Sequence, residues 1–266
     1  MKYIYLVGLE HSGSTLVSKL ISARENGVAL GEVGQFLSPK LLQNYQKKWG
    51  SSGEAARCSC GQNWTECQFW SEQQYSWGMN TNASKLSRYQ LYFEGVRNYY
   101  SDEITIIDSS KWLSNLRFIV ENIAELPIDL SELSVVHVAK DVRSFVNSMH
   151  RKSDRNGGII RTLKLMNYWQ GENRKILDYV NEVGVESQLI LYEQYCLDGS
   201  YSLSSLNKTH IDHIVLSNKD FLNRNASHVR YDYEWFTNRT IARAYAFHMS
   251  AQRLNTQLYK LANSSY

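Results

Sequence analysis

An α/β fold with a mainly parallel central sheet flanked by helices is what the order of segments in this chain predicts. Three observations carry that expectation. Short β-branched and aromatic runs at residues 3–7, 104–107, 135–139 and 187–191 read as buried strands. Segments with apolar residues at helical spacing alternate with them. The first strand also runs through a glycine-containing turn directly into a helix, the arrangement that cradles anions.

That opening stretch, YIYLVGLEHSGSTLVSKLI, organises the rest. Leu16, Val17, Leu20 and Ile21 recur at helical spacing, so a helix begins near Ser14 or Thr15. Its first backbone N–H groups lack internal partners, and the helix dipole favours negative charge there. Gly8 and Gly13 let the loop wrap an oxyanion, while Ser12, Ser14 and Thr15 add hydroxyl donors. The spacing of Gly8 and Gly13 matches the start of the P-loop pattern G-x-x-x-x-G-K-[ST], but Ser14 stands where the lysine belongs. Ordinary nucleoside triphosphate hydrolysis needs that lysine, whereas phosphate binding does not. A βα turn that holds no ligand is the plain alternative.

The remaining elements follow in order. Residues 27–33, GVALGEV, form a second strand, with Glu32 near its end. Ligands of open α/β sheets sit beyond the carboxyl ends of strands, so Glu32 can face the loop around Ser12; otherwise it is a solvated acid. Residues 40–87 are polar and irregular, with four tryptophans and the cysteines Cys58, Cys60 and Cys67. They read as an insertion within one domain spanning 1–266, not as a second domain. C-x-C-x6-C lacks a fourth ligand at the usual spacing, so no metal is expected and plain thiols are preferred. A helix over 86–99 precedes the strand at 104–107, which ends in Asp108-Ser109-Ser110-Lys111. An apolar run ending in aspartate also looks like the magnesium-holding strand of a nucleotide hydrolase. Residues 112–126 form a helix closed by Pro127. The strand at 135–139 delivers Lys140 to the mouth of the sheet, and Ser148 follows about two helical turns on, so the pair can bracket a phosphate. Arg143 pairs with Asp141 or another nearby acid and is structural. Residues 151–161 form a basic loop, either a flap or a solvated turn. A long helix over 163–180, a fifth strand at 187–191 and a helix over 239–261 complete the chain.

Composition sets the outer bounds. The 266 residues are 43% hydrophobic, enough for a substantial core, and the net charge of +3 is only mildly basic. No lysine or arginine block and no RNA-binding signature points to nucleic acid. No apolar stretch approaches the roughly 20 residues of a membrane span, and the N-terminus enters the first strand directly. A soluble, cytoplasmic protein is the expectation; the oligomeric state is not legible.

Taken together, GLEHSGSTLV resembles the 5′-phosphosulfate loop of sulfotransferases that use 3′-phosphoadenosine 5′-phosphosulfate (PAPS), commonly G-x-x-R-S-G-[ST]-T-L-L, with His11 in place of the usual arginine or lysine. KDVRSFVNS is similar to the family's 3′-phosphate motif, R-D-P-R-x-x-x-x-S, with Lys140 opening it and Ser148 closing it. RCSCGQNWTECQFW, the Ser109-Ser110-Lys111 triplet and Tyr192-Glu193 also resemble family segments, and HIDHIVLSNKD does so weakly, with Ser217 and Phe221 departing from it. The resemblance implies a P-loop nucleotide-binding architecture and PAPS as co-substrate. His11, Ser12, Gly13, Ser14, Thr15 and Leu16 would hold the 5′-phosphosulfate, and Lys140 and Ser148 the 3′-phosphate. Glu32 is the first choice of base and Asp108 the second. Lys111 would donate to the transferred group. His11 is left as a cation, a neutral donor or a base. The acceptor would be a hydroxyl on a glycan, glycolipid or small metabolite. A P-loop phosphotransferase and a catalytically silent nucleotide-binding protein are the competing readings.

Overall fold

The computed structural model describes residues 1–25, 27–37, 57–58, 62, 67–73, 83–100, 102–152, 158–193, 215–216 and 238–264. Five strands form one sheet: β1 (Lys2–Gly8), β2 (Gly27–Gly31), β4 (Thr105–Lys111), β5 (Leu133–Ala139) and β6 (Glu186–Leu191). Their order is β2-β4-β1-β5-β6, and every pairing is parallel. A separate antiparallel pair joins β3 (Arg57–Cys58) to β7 (Val215–Leu216). The helices are α1 (Ser14–Arg24), α2 (Gly34–Leu37), α3 (Gln68–Gln73), α4 (Lys85–Tyr100), α5 (Leu113–Glu121), α6 (Val142–Lys152), α7 (Ile159–Val183), α8 (Arg239–Phe247) and α9 (Met249–Ser264).

The predicted α/β class is the observed one, and the pleat explains the apolar runs. Strands covered on both faces lack polar alternation. Ile4 and Leu6 point to one side with Ala29, Ile107, Val136, Val138 and Ile190, where Val17 and Leu20 of α1 cover them. Tyr3, Tyr5 and Val7 point to the other, larger core, built with residues from α4, α5, α7, α8 and α9. β1 is therefore the sheet's centre, buried on both sides.

Four boundaries differ from expectation. The second strand stops at Gly31, whose φ of 77° turns the chain away and leaves Glu32 outside the strand. The helix expected to Leu126 stops at Glu121, where Asn122 donates its amide to the Phe118 carbonyl at 2.8 Å; Leu126 is then extended, as a residue before proline prefers. The long helix begins at Ile159, four residues early. The C-terminal helix is two helices, broken at His248. His248 Nδ1 accepts the Ala251 N–H at 3.2 Å, capping α9, and Nε2 meets Asn167 Oδ1 at 2.9 Å. Of the irregular insertion at 40–87, most lies outside the described residues, as do Cys60, Ser217, Phe221 and residues 153–157 of the basic loop, whose two ends belong to α6 and α7. Cys67 is buried. Among the described residues no helix is long and apolar enough to cross a membrane.

One core residue makes stability depend on pH. His137 lies buried on β5 with Nε2 2.9 Å from Asn173 Oδ1, and burial pushes its imidazole down to about 4. The folded state thus holds it neutral where the unfolded chain, titrating near 6.5, takes up a proton. Its contribution is present above pH 6.5 and is lost as pH falls towards 4, by an amount of order 3 kcal/mol. Urea midpoints of wild type and His137→Gln between pH 7 and 4 should therefore diverge in slope, the variant being flatter. Parallel slopes would remove this role.

Candidate active site

The strand order places the site. The chain leaves β1 towards β4 and β2, then returns to its other side for β5 and β6. The crevice between those two directions opens at the carboxyl end of β1, where α/β sheets bind ligands. Residues 8–16, Glu32, residues 108–111, Lys140 and Tyr192 all sit at or just beyond strand ends on this rim.

The turn between β1 and α1 is built for close approach. Gly8 lies against β5 so tightly that a Cβ would sit 2.4 Å from the Val138 carbonyl oxygen. His11 is exposed and left-handed, with φ 63°. Gly13, with φ 88°, is the N-cap of α1 and supplies no side-chain cap; its carbonyl accepts Leu16 N–H at 3.0 Å and Val17 N–H at 3.1 Å. The N–H groups at the very start of α1 have no acceptor within the helix. Ser12 and Ser14 are each 2% exposed, and neither hydroxyl meets a hydrogen-bond partner among the described residues. Orphan buried hydroxyls beside a helix N-terminus are what an oxyanion would satisfy.

A second polar group lies across the crevice. Lys140, just past the end of β5, is nearly buried and donates to Ser148 Oγ, about two turns into α6, at 3.1 Å. Trp169 Nε1 holds the Lys140 carbonyl at 2.9 Å. The Lys140 ammonium rides 5.1 Å from the Tyr192 ring centre. The same ring fills the space a Gly13 side chain would need: a Cβ there would lie 2.1 Å from Tyr192 Cδ2. Tyr192 therefore lies between the loop and the lysine and sets their spacing. Arg143 pairs with Asp141 through a fork, Nε to Oδ1 at 2.9 Å and a terminal nitrogen to Oδ2 at 2.7 Å, as expected for a structural role. Asn255 adds a bond to Asp141 Oδ2 at 3.0 Å, tying α9 to the end of β5. Burial pushes the Asp141 carboxyl up, but Arg143 outweighs it and the group is held below the usual range. Glu193 accepts the Asp141 N–H at 3.0 Å; burial first, and the neighbouring Asp141 charge second, raise it to about 7.

On the other side of β1, Lys111 forms an ion pair with Glu32. Both are partly exposed, and Lys111 is left-handed with φ 70°. The strand ends are irregular here: β4 carries an extra residue against β1 between Asp108 and Lys111, and β2 one against β4 between Ala29 and Gly31. Such bulges re-aim side chains. Asp108 holds this geometry. It is 0% exposed, accepts Tyr3 OH at 2.6 Å and Ser110 N–H at 2.8 Å, and also binds the Ser110 hydroxyl and the Val33 N–H. Ser110 Oγ in turn accepts the Gly34 N–H at 2.7 Å. Asp108 thus clips the turn after β2 to the end of β4, which sets Glu32 opposite Lys111. Burial raises its carboxyl to about 6, opposed by Ser110, Tyr3 and the backbone donors. It is sealed from solvent and engaged on both oxygens. The geometry brings Glu32 and Lys111 together and Lys140 and Ser148 together; Asp108 stands behind the first pair rather than in it.

No protein-family model matches this chain, and no curated protein matches it. Among solved structures, the chain is similar to the sulfotransferase domain from the Synechococcus PCC 7002 olefin synthase, with a TM-score of 0.49 and 15% identity over 92% of this chain and 94% of that one. That likeness is too slight to carry any residue of the site across, so the site stands on its own geometry.

Proposed function

We propose that this protein is a PAPS-dependent sulfotransferase acting on an acceptor hydroxyl. The observation that carries the reading is a pair of anion-competent positions in one crevice. Ser12 and Ser14 present buried, unpartnered hydroxyls at the start of α1, and Lys140 with Ser148 lies on the far side of the Tyr192 ring. A nucleotide with one anionic group on its 5′ oxygen and another on its 3′ oxygen suits that division. A nucleoside triphosphate, whose charge is all on one side, does not use the second position.

PAPS supplies the sulfuryl group when bound. The turn at residues 11–16 would hold its 5′ end, with exposed His11 at the rim, and Lys140 and Ser148 its 3′-phosphate. Glu32 would take the proton from the acceptor hydroxyl, whose oxygen forms the new bond to sulfur while the bond from sulfur to the 5′-phosphate oxygen breaks. Lys111, already beside Glu32, would donate to the charge that develops on the departing oxygen. The phosphotransferase alternative needs Asp108 to present a carboxylate to magnesium, and the Tyr3–Ser110–Val33 clasp holds that carboxylate inside the core.

Calorimetric titration with adenosine 3′,5′-bisphosphate, beside ATP with magnesium, tests the reading. The bisphosphate should bind at least about tenfold more tightly, the worth of one extra charge-assisted contact. Equal affinities, or preference for ATP, would overturn it.

A further inference from the structure

A second concavity adjoins the loop on the side of the sheet away from α1. It has a volume of about 680 Å³ and runs between the start of α5 and one face of α7, with Gly8, Leu9 and Glu10 as its floor. That volume suits a ligand of one or two rings. Its walls carry two large aromatic side chains that the fold leaves accessible, Trp112 at 39% and Tyr168 at 45% exposure. Between them stand four charged groups: Glu10, Arg117, Glu172 and Lys175. Tyr168, Glu172 and Lys175 recur at helical spacing, so α7 presents them along one stripe. Lys175 donates to Glu172 at 2.7 Å, and Arg117 stacks 4.9 Å from the Tyr179 ring centre. Burial raises the Tyr168 phenol, with Glu10 and Glu172 adding to the shift and Lys175 opposing it.

We propose that this cavity is a binding subsite for a neutral polyhydroxylated ring, a sugar residue of the acceptor. The lining argues for that class over two others. Two acids and two bases cancel, so the cavity offers neither the positive field a polyanion requires nor the negative field a polycation requires. Four ionic groups make it a poor slot for a wholly apolar ring, whose burial would desolvate them without return. A sugar satisfies both halves. Its C–H face packs on an indole or phenol ring, and its hydroxyls can donate to carboxylates and accept from lysine or arginine. Position adds to the argument: Trp112 directly follows Lys111, and Glu10 directly precedes His11, so a ring held here lies beside the proposed reaction centre.

The inference rests on the sulfotransferase reading only for calling the sugar an acceptor; binding itself is independent of it. Saturation-transfer NMR with millimolar methyl β-glucoside, cellobiose and 4-nitrophenol tests it on wild type, Trp112→Ala and Tyr168→Ala. Bisphosphate calorimetry on the same preparations checks that each variant is folded and keeps the donor site. The sugars should bind wild type, and each variant should weaken them by roughly fivefold, the worth of one aromatic face, with bisphosphate affinity unchanged. Wild type that binds bisphosphate but no sugar would overturn the proposal, as would sugar binding indifferent to both substitutions or 4-nitrophenol binding that alone depends on Trp112. Trp112-dependent sugar binding without bisphosphate binding would uphold the cavity and sink the donor site instead.

Discussion

Glu32→Gln should lower kcat by about 10²–10⁴-fold, the range for loss of a general base, while bisphosphate affinity stays within the error of the measurement. The substitution keeps shape and a hydrogen-bond acceptor, so Lys111 retains a partner on that side. What it removes is the capacity to take a proton. Two features make this the largest kinetic effect expected. Glu32 lies outside the strand and partly exposed, hence able to meet an acceptor, whereas the other carboxylate of the region, Asp108, is enclosed. The clip from Asp108 through Ser110 to Gly34 also fixes the turn that carries Glu32, so the base is positioned before substrate arrives. If Glu32 served only as the counter-ion of Lys111, Glu32→Gln would change kcat little. Single-turnover rates at saturating donor and acceptor separate the two, and a rate near wild type would end the assignment.

The strands were legible because a parallel sheet buried on both faces leaves uninterrupted apolar runs, and β1, β4 and β5 have them. The loop was legible because Gly8 and Gly13 have backbone or packing needs that no other residue meets. Other features depend on partners far away in sequence. Asp108 reads as a strand-end acid open to chemistry; the hydroxyl that claims it belongs to Tyr3, 105 residues earlier. His11 and Lys111 adopt positive φ although neither is glycine, and no local pattern announces that. The break at His248 has no glycine or proline to mark it, because a single imidazole caps the next helix. The contact of Tyr192 with both Gly13 and Lys140 was hidden for the same reason: three strands meet there, and only the sheet order 2-4-1-5-6 brings them together.

Lys140→Ala should weaken adenosine 3′,5′-bisphosphate by roughly 30- to 150-fold, the loss of a charged hydrogen-bonding partner to phosphate, and raise the KM for PAPS in parallel. Adenosine 5′-monophosphate should lose almost nothing, because it never engages that position. The contrast matters because Lys140 is also a packing element. Its ammonium lies on the Tyr192 ring, and that ring wedges against Gly13. Were the lysine only a support for the ring, its removal would let Tyr192 shift, disturb the loop, and weaken monophosphate and bisphosphate alike. Lys140→Arg distinguishes further: charge is kept, but the fork demands more room above Tyr192, so affinity should recover partly rather than fully. Ser148→Ala, which removes one neutral donor from the same position, should cost only about fivefold. An equal loss for both nucleotides would make Lys140 a strut of the crevice and leave the 3′-phosphate without a site.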